Sequence, residues 1–356
     1  MPELTISERK IGNDHPTYFV ADIAANHDGD LERAKALIHL AHEAGAEAAK
    51  FQNFRAPEIV SDYGFRAMDK QASHQSGWSK SVFDVYEAAS IPFDWSADLS
   101  RECAQAGIHY FSSPYDFEAV DQLEQYFPAI KIGSGDITWL EMLERIASKG
   151  KPVLLATGAS DIGDVQRAVD TILATNPALV LMQCNTNYTG NSENFEHIHL
   201  NVLKTYRDMY PELILGLSDH TPKHATVLGA VALGARVIEK HFTDDTERDG
   251  PDHSFAMDPS SWREMVDRTR ELEGALGSTI KKVEGNELAT AVIQRRCLRA
   301  ARDIDAGEVL KREDIAVLRP AAPGAIMPYE IDKVLNAKAL SDLQAGVELR
   351  WELLGN

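Results

Sequence analysis

Two histidines close apolar runs in the second half of this 356-residue chain: His220 follows ILGLSD, and His241 ends RVIEKH. KHATVLGAVALGA lies between them, so residues 215–241 read as strand, loop, helix and strand. Two imidazoles delivered by neighbouring parallel strands to one rim make half of a metal site. A lone histidine there would more simply be a satisfied polar residue. A pair, with Asp22 and Asp136 on the same rim, suits a divalent ion such as Mn or Co that keeps open positions for water and substrate. Lys50 and Lys131 each sit late in an apolar run, AEAAKFQ and AIKIGS. A lysine placed there pairs with a carboxylate, snorkels to solvent or binds an anion. Ser134, Ser218 and the backbone N–H groups of IGSGD could cradle phosphate or carboxylate oxygens. Asp252, in the shaped turn DGPDHSF, either faces the pocket or caps a helix.

The elements that would carry these groups alternate regularly. TYFVADIA, AEAAKFQ, IHYFSS, AIKIGS, PVLLATG, LVLMQC, LILGLS and RVIEKH are near-continuous apolar runs, as strands buried on both faces should be. Helical patterns separate them. The first is LERAKALIHLAHEA, with Asp30 as N-cap, Leu31, Ala34, Leu37, Ile38 and Ala41 on one face, and Gly45 as its stop. The last spans about residues 260–276. Residues 53–90 are irregular apart from a helical pattern at SKSVFDVYEAA. Eight such units in about 275 residues predict an α/β fold, a closed (β/α)8 barrel. An open doubly wound sheet fits less well, because no G-x-G-x-x-G follows the first strand. In a barrel of this kind catalytic groups sit at the C-terminal strand ends. Those positions hold Asp22, Lys50 and Gln52, Ser113, Lys131, Ser134 and Asp136, Thr157, Thr186 and Tyr188, Ser218 and His220, and His241. Polar ends on apolar strands point to an enzyme.

The formal charge of −19 excludes nucleic acid and anionic membranes as partners, since no basic cluster offsets it. Three widely spaced cysteines without a C-x-x-C support neither a disulfide framework nor a zinc ribbon. No apolar run approaches the ~20 residues of a membrane span, and MPELTISERK lacks a signal-peptide h-region. A cytoplasmic location is expected. Beyond residue 278 the pattern changes: residues 279–292 read as a linker, and residues 293–356 as a small β-rich domain. ARDIDAGEVLKREDI and LSDLQAGVELRWELL form a weak internal repeat there, predicting two related halves.

The stretches ADIAANHDGDLERAKALIHLAHEAGAEAAKFQ, SSPYD, IKIGSGD, ATGAS, CNTNY, GLSDHT, EKHFTDDTERDGPDH and RPAAPG together resemble the N-acetylneuraminate (sialic acid) synthase family, over nearly the whole chain. The tail resembles that family's antifreeze-like (SAF) domain, a β-clip-like fold. The resemblance implies condensation of phosphoenolpyruvate (PEP) with an N-acylated amino sugar, such as ManNAc, to a nine-carbon 2-keto-3-deoxy acid, with release of phosphate. It implies a divalent metal on His220 and His241, Mn2+ first and Mg2+ or Co2+ as substitutes. PEP would meet Lys50, Ser113, Lys131, Ser134 and Ser218, and the sugar would meet Gln52, Tyr188 and Asp252. Arg319, in RPAAPG, would reach the other subunit's site in a domain-swapped homodimer. Asp22 or Asp136 would handle the water proton.

Three positions depart from the family pattern. Asp22 and Asp136 stand where Glu is usual, and CNTNY replaces C-T-N-I-Y, which puts Thr186 where an Asn would meet PEP. An Asp carboxylate sits roughly 1.3 Å further back than Glu, one bond length. The product could therefore be sialic, legionaminic or pseudaminic acid. Two other readings remain open at this level: a KDO-8-phosphate type of synthase, which the SAF-like tail disfavours, and a non-catalytic carbohydrate-binding protein, which the retained lysines and histidines disfavour.

Overall fold

The computed structural model describes residues 2–68, 78 and 80–355, which divide into two compact units, 1–277 and 278–356. The first unit opens with an antiparallel hairpin, β1 (Glu3–Ile6) and β2 (Arg9–Gly12). Eight parallel strands follow: β3 (Tyr18–Asp22), β4 (Ala48–Asn53), β5 (His109–Pro114), β6 (Ile130–Ile132), β7 (Val153–Ala156), β8 (Leu179–Cys184), β9 (Ile214–Asp219) and β10 (Ala235–His241). They close into a barrel in chain order, with β10 pairing β3. This is the (β/α)8 architecture that the alternation predicts.

Period-two alternation divides each strand between two cores. Tyr18, Val20, Ala48, Phe111, Leu154, Val180, Met182, Ile214 and Val237 form one cluster, and Ile6 and Ile11 of the hairpin join it. Phe19, Ala21, Phe51, Tyr110, Leu155, Leu181, Leu217 and Ile238 turn the other way and pack with helical residues such as Leu37, Ile38, Leu143 and Val169. Burying one such side chain is worth about 1.5–3 kcal/mol, so the strands' direction is strongly determined. The hairpin was not expected; MPELTISERK reads as merely polar, yet Ile6 and Ile11 are fully buried.

Local signals behave as read. Asp30 Oδ1 accepts from the backbone N–H groups of Glu32 and Arg33, starting the helix Leu31–Glu43. Gly45 follows its end at φ +97°, a conformation that a side chain would strain. The helix expected over residues 79–89 is found at Val82–Ala89; Ser79 lies outside the described residues. Two short helices, Ala56–Ile59 and Asp62–Ala67, occupy the stretch read as irregular.

The second unit contains the helix Leu288–Gln294, part of the stretch read as a linker, and two antiparallel pairs: β11 (Cys297–Ala300) with β12 (Ile315–Leu318), and β13 (Lys338–Ala339) with β14 (Leu354–Gly355). The repeat closes on itself. Ile304 and Leu343 pair across it. Asp342 accepts from Ala306 N–H at 2.9 Å, and Asp303 accepts from Ala345 N–H at 2.8 Å. Equivalent residues of the two halves thus cap each other's turns. Among the described residues, no helix is long and apolar enough to cross a membrane.

Candidate active site

Strand register assembles the floor of the site. His241 lies opposite Asp22, Asp22 opposite Lys50, and Ser218 opposite Glu239. The face that carries apolar side chains at the strand starts carries these polar ones at the ends. Lys50 Nζ lies 2.7 Å from Asp22 Oδ2 and 3.7 Å from Glu239 Oε1. Lys131 Nζ is 3.4 Å from the same Glu239 oxygen and donates to Ile132 O at 3.2 Å. Ser218 Oγ donates to Glu239 Oε1 at 3.3 Å, and Gln52 Nε2 donates to Asp22 Oδ2 at 3.4 Å. Burial opposes charge on Lys50, but Asp22 and then Glu239 outweigh it and hold its pKa above the usual lysine value. Asp22 reaches both Lys50 and, at 3.5 Å, His241 Nε2, despite its shorter side chain.

Glu239 is the residue that the sequence reading missed. It bridges the two lysines, yet its Oε2 has no hydrogen-bond partner among the described residues, and neither has Ser113 Oγ. Buried polar atoms left this way cost about 1–3 kcal/mol each, so such atoms call for a ligand or water. The alternation Val237, Glu239, His241 was the available signal.

His220 and His241 stand with ring centroids 5.4 Å apart. His220 Nδ1 donates to Asn185 O at 2.9 Å; burial opposes charge on this ring, but its hydrogen bond with Cys184 outweighs burial and holds the His220 pKa above the usual value. His241 Nδ1 has no partner among the described residues. Burial, with His220 and Lys50 nearby, holds the His241 pKa well below the usual value and keeps its imidazole neutral. Tyr188 packs edge-on against His220 at 4.4 Å, and Phe255 against His241 at 4.8 Å. No cluster of three or more His, Cys, Asp or Glu groups able to hold a metal occurs among the described residues. A neutral imidazole with an orphaned nitrogen beside a second, oriented one fits a divalent ion that takes its remaining ligands from water and substrate.

Above the floor, a cavity of about 360 Å³ is lined by Gln52, Tyr86, Tyr115, Ser134, Asp136, Thr186, Tyr188, His241 and Asp252. Asp136 ends the turn Ser134–Asp136; burial raises its pKa to about 6 against the pull of Lys131. Asp252 is also raised to about 6 by burial, although its Oδ2 accepts from Ala25 N–H at 3.1 Å. Of the two alternatives left by the sequence, Asp252 thus takes the pocket. Its loop is lashed down: Asp28 meets His253 at 2.9 Å and Arg248 at 2.7 Å, and Thr243 meets the other nitrogen of His253 at 2.7 Å. Gly158 donates its N–H to Ser134 Oγ at 2.9 Å. A Cβ there would fall 1.8 Å from Thr186 Oγ1, so only glycine lets these two loops meet.

The barrel therefore brings together Asp22, Lys50, Gln52, Lys131, Ser134, Asp136, Thr186, Tyr188, Ser218, His220, His241 and Asp252 at its strand ends. Ser113 is there too, opposite Gln52. Arg319 belongs to the second unit, just past β12.

Comparisons with known proteins agree with the barrel and the small β-rich tail. The NeuB family model matches residues 37–281, and the SAF domain model matches residues 295–355. The chain is 33% identical to the N,N'-diacetyllegionaminic acid synthase of Legionella pneumophila, over 97% of this chain and 98% of that one. It is 30% identical to the N-acetylneuraminate-9-phosphate synthase of Homo sapiens, over 98% and 95%. The crystal structure of the spore coat polysaccharide biosynthesis protein SpsE of Bacillus subtilis matches with a TM-score of 0.66 at 29% identity, over 99% of each chain. The chain belongs to the NeuB family of nonulosonic acid synthases and carries a C-terminal SAF domain.

Proposed function

We propose that the protein condenses PEP with the open-chain form of an N-acylated amino hexose, giving a nine-carbon 2-keto-3-deoxy acid and phosphate. One observation carries this reading: two buried lysines, Lys50 and Lys131, share the floor with the His220–His241 pair. Cations that hold a phosphorylated carboxylate thus adjoin imidazoles that can hold an electrophilic centre.

In this reading Lys50 and Lys131 exchange Glu239 for the carboxylate and phosphate of PEP, with Ser113, Ser134, Thr186 and Ser218 as donors. Gln52, Tyr188 and Asp252 orient the sugar. His220 and His241 hold a divalent ion, Mn2+ first, whose chemistry is Lewis-acid polarisation of the aldehyde oxygen. C3 of PEP forms the new bond to the aldehyde carbon, water adds at C2, and the C2–O bond to phosphate breaks. Asp22 is engaged by Lys50 and serves as a fixed anion. Asp136, with a pKa of about 6, takes one proton from the water; that proton is returned to the former aldehyde oxygen, which ends as a hydroxyl, and the second proton of the water leaves with phosphate. The barrel, residues 1–278, is the catalytic part. Residues 293–356 supply Arg319 to the partner subunit's sugar site in a domain-swapped homodimer, and the protein works in the cytoplasm.

The acceptor is an N-acyl hexosamine as a class. The Legionella and human relatives carry the names of different acids, so the sugar is left to assay. Purified protein is incubated with PEP, Mn2+ and a panel of N-acylated hexosamines, and phosphate and keto acid are measured. Equal formation of both from at least one member is expected. Turnover with arabinose 5-phosphate and with no N-acylated hexose contradicts the reading.

A further inference from the structure

Behind the histidine pair, on the face of β9 and β10 turned toward the helices, lies a second buried ion pair that the reaction does not use. Lys240 Nζ donates to Asp219 Oδ2 and, at 2.5 Å, to Thr221 O. Asp219 and Lys240 are each 2% exposed. Asp219 Oδ2 also accepts from Thr221 Oγ1 at 2.8 Å and from Thr226 Oγ1, on the helix Ala225–Ala232, at 2.7 Å. The two charged residues are opposite one another in strand register.

The placement of these contacts is unusual in one respect. Asp219 and Thr221 are the two neighbours of His220, and Lys240 is the neighbour of His241. One ammonium, carried beside one histidine, therefore grips the chain on both sides of the other. His220 cannot shift relative to His241 without breaking a buried, charged hydrogen bond. An apolar pair at these positions would join the surrounding core of Leu217, Val227 and Ile238 at no cost in desolvation. What it could not do is fix the spacing of the two rings.

The geometry points to Lys240 and Asp219 as positioning residues that set the separation of His220 and His241 for a divalent cation. This rests on the reading of that pair as a metal site. Partners that orient metal ligands from behind typically contribute about 10- to 100-fold in metal affinity. The pair acts through the backbone flanking the ligands rather than through their ring nitrogens.

The test is Mn2+ affinity, measured by electron paramagnetic resonance titration without substrates, alongside the melting temperature. Three variants are compared with wild type: Asp219→Leu/Lys240→Met, Thr226→Val and His220→Ala. The double variant removes both charges and leaves a packed core, so its melting temperature is expected to equal or exceed that of wild type. Its Mn2+ affinity is expected to fall about 10- to 100-fold, and the bound-ion spectrum to broaden. Thr226→Val removes one donor from Asp219 and is expected to weaken Mn2+ a few-fold; it decides the matter should the double variant not fold. Wild-type affinity in the folded double variant, or in Thr226→Val in that event, overturns the proposal. If wild type and His220→Ala bind Mn2+ alike, the metal site itself is wrong and the proposal falls with it. If His220→Ala loses the ion and the double variant keeps it, the positioning role alone is refuted.

Discussion

Lys50, Lys131 and Glu239 stand on three different strands, none more than 4% exposed, and every one is engaged by another group of the floor. Asp136, Tyr188 and Asp252 stand on the turns above them, half-buried, around an open cavity. The floor is specified by strand register, in which a shift of one residue would turn each polar group into the helix layer. The rim is specified by loops that hold each other, through Ala25 to Asp252, Asp28 to His253 and Gly158 to Ser134. The same chain thus has a part that cannot vary without losing the fold's polar centre, and a part whose side chains can change while the barrel stands. A reaction with one constant substrate and one variable one fits such a division: PEP at the floor, the sugar at the rim.

The largest effect should come from the floor. Lys131→Met leaves Glu239 facing only Lys50 and removes a cation from PEP; kcat/KM is expected to fall by about 10²–10³, with the acceptor KM little changed. A loss confined to the acceptor KM would break the division. Glu239→Gln keeps the shape but takes away the charge that holds both lysines before substrate arrives. Unliganded protein is expected to lose about 3 kcal/mol of stability, and saturating PEP to raise the melting temperature more than in wild type. Equal PEP-induced shifts would mean that Glu239 is not exchanged for the substrate.

Protonation gives an intermediate effect. Burial raises both Asp136 and Asp252 to about 6. Each carboxyl holds its proton more tightly folded than unfolded, so folding favours the protonated form. The stability from this source is complete below the ordinary value of 3.8 and is lost as pH rises through about 6. The proposed catalysis runs the other way, because in it Asp136 must be deprotonated to accept a proton. The kcat profile of wild type is expected to fall on the acid side of about 6. Asp136→Asn should lower kcat and flatten that limb; an unchanged limb assigns the proton elsewhere. The smallest effect belongs to the rim's outer ties. Arg248→Ala frees one partner of Asp28 and should raise the acceptor KM by about two- to fivefold, as expected for an exposed contact, without changing that for PEP.

Much of the floor was legible in the sequence because strand physics exposes it. An apolar run ending in Lys, Ser or His announces a buried strand with a functional end, and seven of the eight ends carry a residue of the proposed site. Glu239 escaped because RVIEKH ends in two other chemically obvious residues, and only the face parity of Val237, Glu239 and His241 separates it from Lys240. The Lys240–Asp219 pair was hidden for the same reason: both residues precede a histidine and read as part of its motif. At the rim, Asp252 could be suspected but not aimed, since its orientation depends on Ala25, more than two hundred residues away. The hairpin β1–β2 was missed because ELTI and RKIG each bury a single strongly apolar residue.

The account's central claim is that one floor holds both PEP and the ion while the rim takes the sugar. It is tested most directly by a crystal structure of the protein with PEP and Mn2+, using anomalous scattering at the manganese edge. The account predicts one anomalous peak on the His220 and His241 imidazoles, with the anionic groups of PEP on Lys50 and Lys131 and the rim cavity open. A peak elsewhere, or PEP bound while both lysines remain paired with Glu239, would contradict it.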